Sequence, residues 1–184
     1  MNTIKFSHIA STYNDHLDSL YAYALHLGFD EQTAKDAIHD VFYKLCMHHS
    51  SLDEISNLKF YLFRSLRNRL IDLNRTNREH TGIYFEEEIS DENLPFQLHV
   101  TMEDEFIQKE DSEEIRLKVE NVLNRLSHRQ REIIFLRYIQ ECSYDEISEI
   151  MQISVAASRN LVNRSIKRLK KAMLTLPQFL LMIS

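Results

Sequence analysis

Residues Glu120–Met173 read ENVLNRLSHRQREIIFLRYIQECSYDEISEIMQISVAASRNLVNRSIKRLKKAM, and the helix punctuation stands in the letters themselves. Ser127 is followed by Gln130, and Ser143 by Glu146. At that spacing the serine hydroxyl accepts an amide of the new helix while the longer side chain reaches back to the serine amide, so two helix starts are marked. After the first start, Ile133, Ile134 and Leu136 give an apolar stripe that ends near Ile139. After the second, Tyr144, Ile147, Ile150 and Met151 recur at helical spacing and turn one face of a short helix inward. Gln152-Ile153 follows, and Ser154 is placed to cap a third helix. Two short helices joined by a tight turn, the second opening on a capping serine, satisfy the requirements of a helix-turn-helix.

The charge on the third helix says what it is for. Val155, Val162, Ile166, Leu169 and Met173 form a stripe expected to face the core. The remaining face carries Arg159, Asn160, Asn163, Arg164, Lys167, Arg168, Lys170 and Lys171, with no acid between Arg159 and Lys171. An apolar stripe backed by an unbroken cationic face suits the major groove of DNA, where the first turns reach base edges and later cations meet phosphates.

Outward from this stretch, the 184 residues contain only two glycines and two prolines. Breakers this scarce, among abundant helix formers, predict an all-α chain. With Gly28 and Gly82 the only glycines, no phosphate-cradling loop or dinucleotide fingerprint can be written, and there is no HExxH or GxSxG. No catalytic residue or cofactor is expected. Cys46, His48 and His49 fall short of a full ligand set, so no metal is expected either. Cys46 and Cys142 are isolated and fit reduced thiols of the cytoplasm better than a disulfide framework. The hydrophobic runs are short and broken by charge, so neither a signal peptide nor membrane insertion is expected.

Towards the N-terminus, Ile9, Tyr13, Leu17, Leu20, Tyr21, Ala24 and Leu27 define an amphipathic helix that Gly28 can end, with Asp30 a fair cap for the next. In that second helix Ala34, Ile38, Val41, Phe42 and Leu45 face inward, leaving Asp36, His39, Asp40, Tyr43 and Lys44 outward. The loop 48–56 is serine-rich. A third helix begins near Asn57 and interleaves Phe60, Tyr61, Phe63, Leu66 and Leu70 with Arg64, Arg67, Arg69, Arg75 and Arg78. Cations alternating with aromatics can meet phosphates and stack on unpaired bases.

Residues 81–114 change character, with Glu86, Glu87, Glu88 and nine further acids opposed only by Lys109. Their excess of negative charge is larger than the −6 of the whole chain, so the flanking parts together are positive. The expected organisation is two small helical domains joined by an acidic flexible linker. A helical bundle occupies residues 1–80, the linker 81–114, a four-helix domain with the helix-turn-helix 115–176, and an apolar tail 177–184.

Three stretches in this order resemble the sigma-70 family of bacterial initiation factors, specifically its extracytoplasmic-function group. Asp36–Leu45, DAIHDVFYKL, is similar to the family's core-polymerase-binding helix. Asn57–Arg78, NLKFYLFRSLRNRLIDLNRTNR, looks like its −10 melting and recognition helix, and Glu120–Met173 resembles the module that reads the −35 element. The resemblance implies a cytoplasmic protein without catalysis of its own, whose partners are core RNA polymerase, promoter DNA and an anti-sigma factor. It implies Asp36, His39, Asp40 and Tyr43 for polymerase binding. For the −10 element it implies Tyr61, Arg64, Arg67, Asn68, Arg75 and Arg78, with a flipped base captured by the loop 48–56. For the −35 element it implies Ser154, Arg159, Asn160, Asn163, Arg164 and Lys167. Gln152 stands where the family has a turn glycine, so this turn is expected to form without an obligatory positive φ. A flexible linker of this length has a taut limit near roughly 100 Å, against about 85 Å between elements roughly 25 base pairs apart. The competing reading is a helix-turn-helix regulator that binds DNA without polymerase.

Overall fold

The computed structural model describes residues 2–48, 55–81, 94–98 and 109–174, with side chains at 11–47, 55–76, 94–98 and 116–174. The acidic stretches 82–93 and 99–108, most of the serine-rich loop, and the tail 177–184 lie outside the described residues. Among those described there is no strand, in keeping with the scarcity of breakers. The chain divides into two compact units, the first comprising Met1–Pro95 with Glu149–Met151 and the second Phe96–Ser148 with Gln152–Ser184.

The first unit is built from α1 (Asn2–His26), α2 (Glu31–His48) and α3 (Leu58–Thr81), each packed on the other two. Gly28 ends α1 with φ 84°, while its amide donates to the Leu25 carbonyl at 2.9 Å and the Phe29 amide reaches the Ala24 carbonyl at 3.3 Å. This pair of bonds satisfies carbonyls that a helix end would leave unpaired, and it needs a left-handed residue. A side chain at Gly28 would also crowd Pro95, whose Cγ lies 3.1 Å from where a Cβ would stand.

Asp30 caps α2, accepting the Thr33 amide at 3.0 Å and the Thr33 hydroxyl at 2.6 Å. Those bonds, the hydroxyl's first, hold the Asp30 carboxyl below its usual range. The cap therefore stabilises α2 above the ordinary carboxylate pKa and is lost as pH falls through the lowered one. Asn57 caps α3 by accepting the Phe60 amide at 3.0 Å. Between the three helices Leu20, Tyr23, Leu27, Ile38, Leu45, Phe63, Leu66 and Leu70 are fully buried, with the Tyr23 and Phe63 rings 5.2 Å apart. Each such side chain contributes about 1.5–3 kcal/mol on leaving water.

The second unit consists of α4 (Lys109–Leu123), α5 (His128–Ile134), a π-helical turn over Phe135–Ile139, α6 (Tyr144–Ile150) and α7 (Val155–Leu174). α4 begins inside the stretch assigned to the acidic linker. Both expected capping boxes form. Ser127 Oγ accepts the Gln130 amide while the Gln130 side chain accepts the Ser127 amide, and Ser143 and Glu146 exchange the same two bonds. Ser154 caps α7 by accepting the Ala157 amide at 3.1 Å. α5 and α4 pack against α7, burying Val122, Leu126, Ile133, Phe135, Leu136 and Val162.

The expected stripe of α7 is corrected in part. Val162 is buried and Val155, Ile166 and Leu169 are half-buried, but Met173 is 40% exposed, and Ser158, Ser165 and Ala172 complete the buried face instead. The serines can be buried because each hydroxyl donates back into the helix, Ser158 to the Val155 carbonyl and Ser165 to the Leu161 carbonyl, both at 2.7 Å. They then act as small residues that let another helix approach closely. The turn between α6 and α7 does use a left-handed residue, for Gln152 has φ 53°, and the Ile153 amide reaches back to the Ser148 carbonyl at 2.8 Å. That helix-closing bond imposes the conformation whichever residue stands there. Gln152→Gly is accordingly expected to stabilise the protein by about 1 kcal/mol, read as a raised urea midpoint; a midpoint that falls would contradict the strain argument.

Candidate nucleic-acid interface

α7 presents a continuous polar face because its core contacts occupy only the opposite one. Arg159, Asn160, Asn163, Arg164 and Lys167 are all exposed, as are Arg168, Lys170 and Lys171 further along. Arg159 and Asn163, Asn160 and Arg164, and Asn163 and Lys167 each stand four residues apart, so they are neighbours on the helix surface. Ser154 is exposed at the start, its hydroxyl engaged in the cap. All six residues expected to face the −35 element thus lie on one helix and its cap. Guanidinium and carboxamide groups are the donors and acceptors that pair bidentately with guanine and adenine edges in the major groove.

Two residues that the sequence reading did not single out for this surface sit beside it. Tyr144 opens α6, and its ring lies under two guanidinium groups, that of Arg137 5.0 Å and that of Arg159 5.4 Å from the centroid. Arg137 is itself fixed by donating to the Cys142 carbonyl at 2.7 Å. Sequence spacing offered no signal for this grouping, because the three residues come from three different elements.

In the first unit the cations of α3 divide into different roles. Arg64 and Arg75 are exposed, Arg75 lying 3.6 Å from Asp72. Arg67, expected on the DNA face, is only 2% exposed and belongs to the interior. A guanidinium so enclosed offers no donor to a phosphate, which removes Arg67 from the −10 set. The Arg78 side chain lies outside the described residues. Tyr61 and Asn68 are half-buried and line a cavity of about 200 Å³ together with Asp40, Lys44, Arg69 and Asp72.

On α2, Asp36 and Tyr43 are exposed, Tyr43 at 66%, and Asp36 accepts the Gln32 side chain at 3.0 Å. His39 shares a hydrogen bond of 3.0 Å with the Tyr13 hydroxyl, their rings stacked 6.0 Å apart. Asp40 stands apart from the other three. One of its oxygens receives Arg69 Nη2 at 2.6 Å and Arg69 Nε at 2.8 Å, so this acid ties α2 to α3. With both side chains partly open to solvent, the pair is worth at most about 1 kcal/mol.

Among the described residues no group of three or more His, Cys, Asp or Glu could hold a metal ion, and no helix is long and apolar enough to cross a membrane.

Comparison with known proteins divides the chain as the two units do. The family profile for Sigma-70 region 2 matches residues 12–80, and that for Sigma-70, region 4 matches residues 116–169. The chain is 28% identical over 162 residues to the ECF RNA polymerase sigma factor SigM of Bacillus subtilis, covering 88% of this chain and 93% of that one. It is 26% identical over 152 residues to the RNA polymerase sigma factor SigZ of the same organism, covering 83% and 79%. Among solved structures, the sigma factor RpoE of Bartonella quintana, crystallised with the anti-sigma factor NepR, has a similar fold. It aligns with a TM-score of 0.61 and 22% identity over 90% of this chain and 96% of that one. CnrH in complex with the cytosolic domain of CnrY aligns with a TM-score of 0.54 and 20% identity, over 89% and 85%.

Proposed function

The chain belongs to the sigma-70 family, in the ECF group, and is a sigma factor that directs promoter-specific transcription initiation; from that premise we propose how its surfaces divide the work. The exposed side of α2 meets core RNA polymerase through Asp36, His39 and Tyr43, with Asp40 stiffening the α2–α3 seat. α3 meets the −10 element through Arg64, Arg75 and Arg78, while Tyr61 and Asn68 present the walls of a cavity to an unpaired base. Extruding a base costs a few kcal/mol of stacking, which a walled recess can offset. α7 reads the −35 element with Arg159, Asn160, Asn163 and Arg164, while Ser154 and Lys167 meet the backbone. The bundle occupies residues 1–80, and the reading domain takes in α4 from Lys109 onward together with Phe96, which seats on α5.

The observation that carries this reading is the unbroken cationic face of α7, on one of two separate units that match different regions of one family. A regulator acting without polymerase accounts for the second unit alone. The chemistry of initiation belongs to the polymerase, and this chain supplies binding and orientation in the cytoplasm, where polymerase works. An anti-sigma factor is its further partner, as one is for the structural relative RpoE. In-vitro transcription with purified core is expected to yield defined start sites, with promoter protection only when core is present. Protection of the same DNA by the free chain, with none added by core, would overturn the proposal.

A further inference from the structure

A guanidinium that reads DNA must be held in place without losing its charge. A free arginine side chain has many rotamers, and ordering it at the moment of binding weakens the complex. A carboxylate partner would order it but cancel its field, which is how Asp40 holds Arg69 in the first unit. On α7 no acid occurs between Arg159 and Lys171, and Arg159 is instead set against an aromatic ring. The negative face of a ring attracts the cation and leaves its charge and its N–H donors available.

The backbone that carries that ring is held on both sides. Tyr144 is the first residue of α6, directly after the capping box of Ser143 and Glu146. The Ser158 hydroxyl, whose one proton is shared with the Val155 carbonyl at 2.7 Å, also reaches the Tyr144 carbonyl at 3.2 Å, and Ser158 is the buried neighbour of Arg159 in sequence. The backbone of Tyr144 is thereby pinned to the turn of α7 from which Arg159 projects. Arg137, held by the Cys142 carbonyl, engages the same ring from the π-helical turn.

We propose that Tyr144 is a positioning residue for −35 recognition: its ring, braced by Arg137 and tied through Ser158 to α7, holds the Arg159 guanidinium in its DNA-reading orientation. The inference rests on the reading above that α7 meets the −35 element through Arg159. Tyr144 acts through Arg159 rather than on the DNA itself, so its effect disappears when Arg159 is absent.

The test is a double-mutant cycle on full-length chain assembled with core polymerase, reading promoter affinity and the base preference at each −35 position. Tyr144→Leu is expected to weaken binding about two- to fivefold and to flatten preference at the same position that Arg159→Ala flattens. Tyr144→Phe, which keeps the ring, is expected to stay within about twofold of the parent. In an Arg159→Ala background, adding Tyr144→Leu is expected to cost almost nothing. Equal losses from Tyr144→Leu with and without Arg159, or a loss in Tyr144→Phe matching that in Tyr144→Leu, would overturn the proposal. An Arg159→Ala chain that binds as the parent does would remove the reading of α7 beneath it, a separate failure visible in that arm alone. Should Tyr144→Leu not fold, arginine side-chain NMR of the parent and of Tyr144→Phe decides. Ring-shifted Arg159 resonances in both support the arrangement, and unshifted ones overturn it.

Discussion

Phe96→Ala is expected to remove about 3–5 kcal/mol from the stability of the second unit, the cost of deleting a fully enclosed aromatic side chain. Phe96 lies in the acidic stretch where a solvated tether was expected, yet it is 0% exposed, its ring 5.5 Å from that of Phe135. Its carbonyl accepts two donors from α5, Arg131 Nη1 and His128 Nδ1, each at 3.1 Å. Burial draws the Arg131 guanidinium below its ordinary value, and the group spends a second donor on the Leu126 carbonyl at 3.2 Å. Truncating the ring leaves a void beside Phe135 and loosens a backbone segment on which two side chains of α5 converge. Native-state hydrogen exchange reads the loss locally, as faster exchange of α5 and α7 amides, while global urea unfolding reads the total. A loss below about 1 kcal/mol would mean that the second unit closes without Phe96.

The second large effect concerns DNA. Arg159→Ala and Arg164→Ala are each expected to weaken −35 binding by the holoenzyme by about 1–3 kcal/mol, up to roughly a hundredfold in affinity, and to relax base preference at one position apiece. Both guanidinium groups are exposed on the same face of α7, within reach of base edges once the helix lies in the groove. Lys167→Ala should behave differently. A phosphate contact carries no sequence information, so its loss lowers affinity evenly across promoters and reduces the salt slope by about one. Unchanged promoter output in both arginine variants would remove them from the reading surface, and a base-specific defect in Lys167→Ala would move that residue from backbone to base.

The two classes of prediction separate what was legible in the letters from what was not. Ser127 with Gln130, Ser143 with Glu146, Ser154, Asp30 and Gly28 each punctuate a helix where spacing says they should, because a cap is closed within a few residues of itself. The exposed cations of α7 were equally legible, since charge declares itself and water is the default environment for it. Arg67 read as one more such cation and is interior, and Met173 read as core and is exposed, whereas Ser158 and Ser165 are buried.

Sequence alone thus determined the all-helical class, the places where helices start and stop, and the cationic face of α7. Tertiary structure alone decided which arginine of α3 lies inside, which stripe of α7 packs, that Arg69 answers Asp40, that Phe96 seats on α5, and that Tyr144 gathers Arg137 and Arg159. The physical reason is range. Capping bonds and helical periodicity are completed by neighbours in the chain, whereas burial, ion pairing and ring contacts depend on groups that only folding brings within a few ångströms.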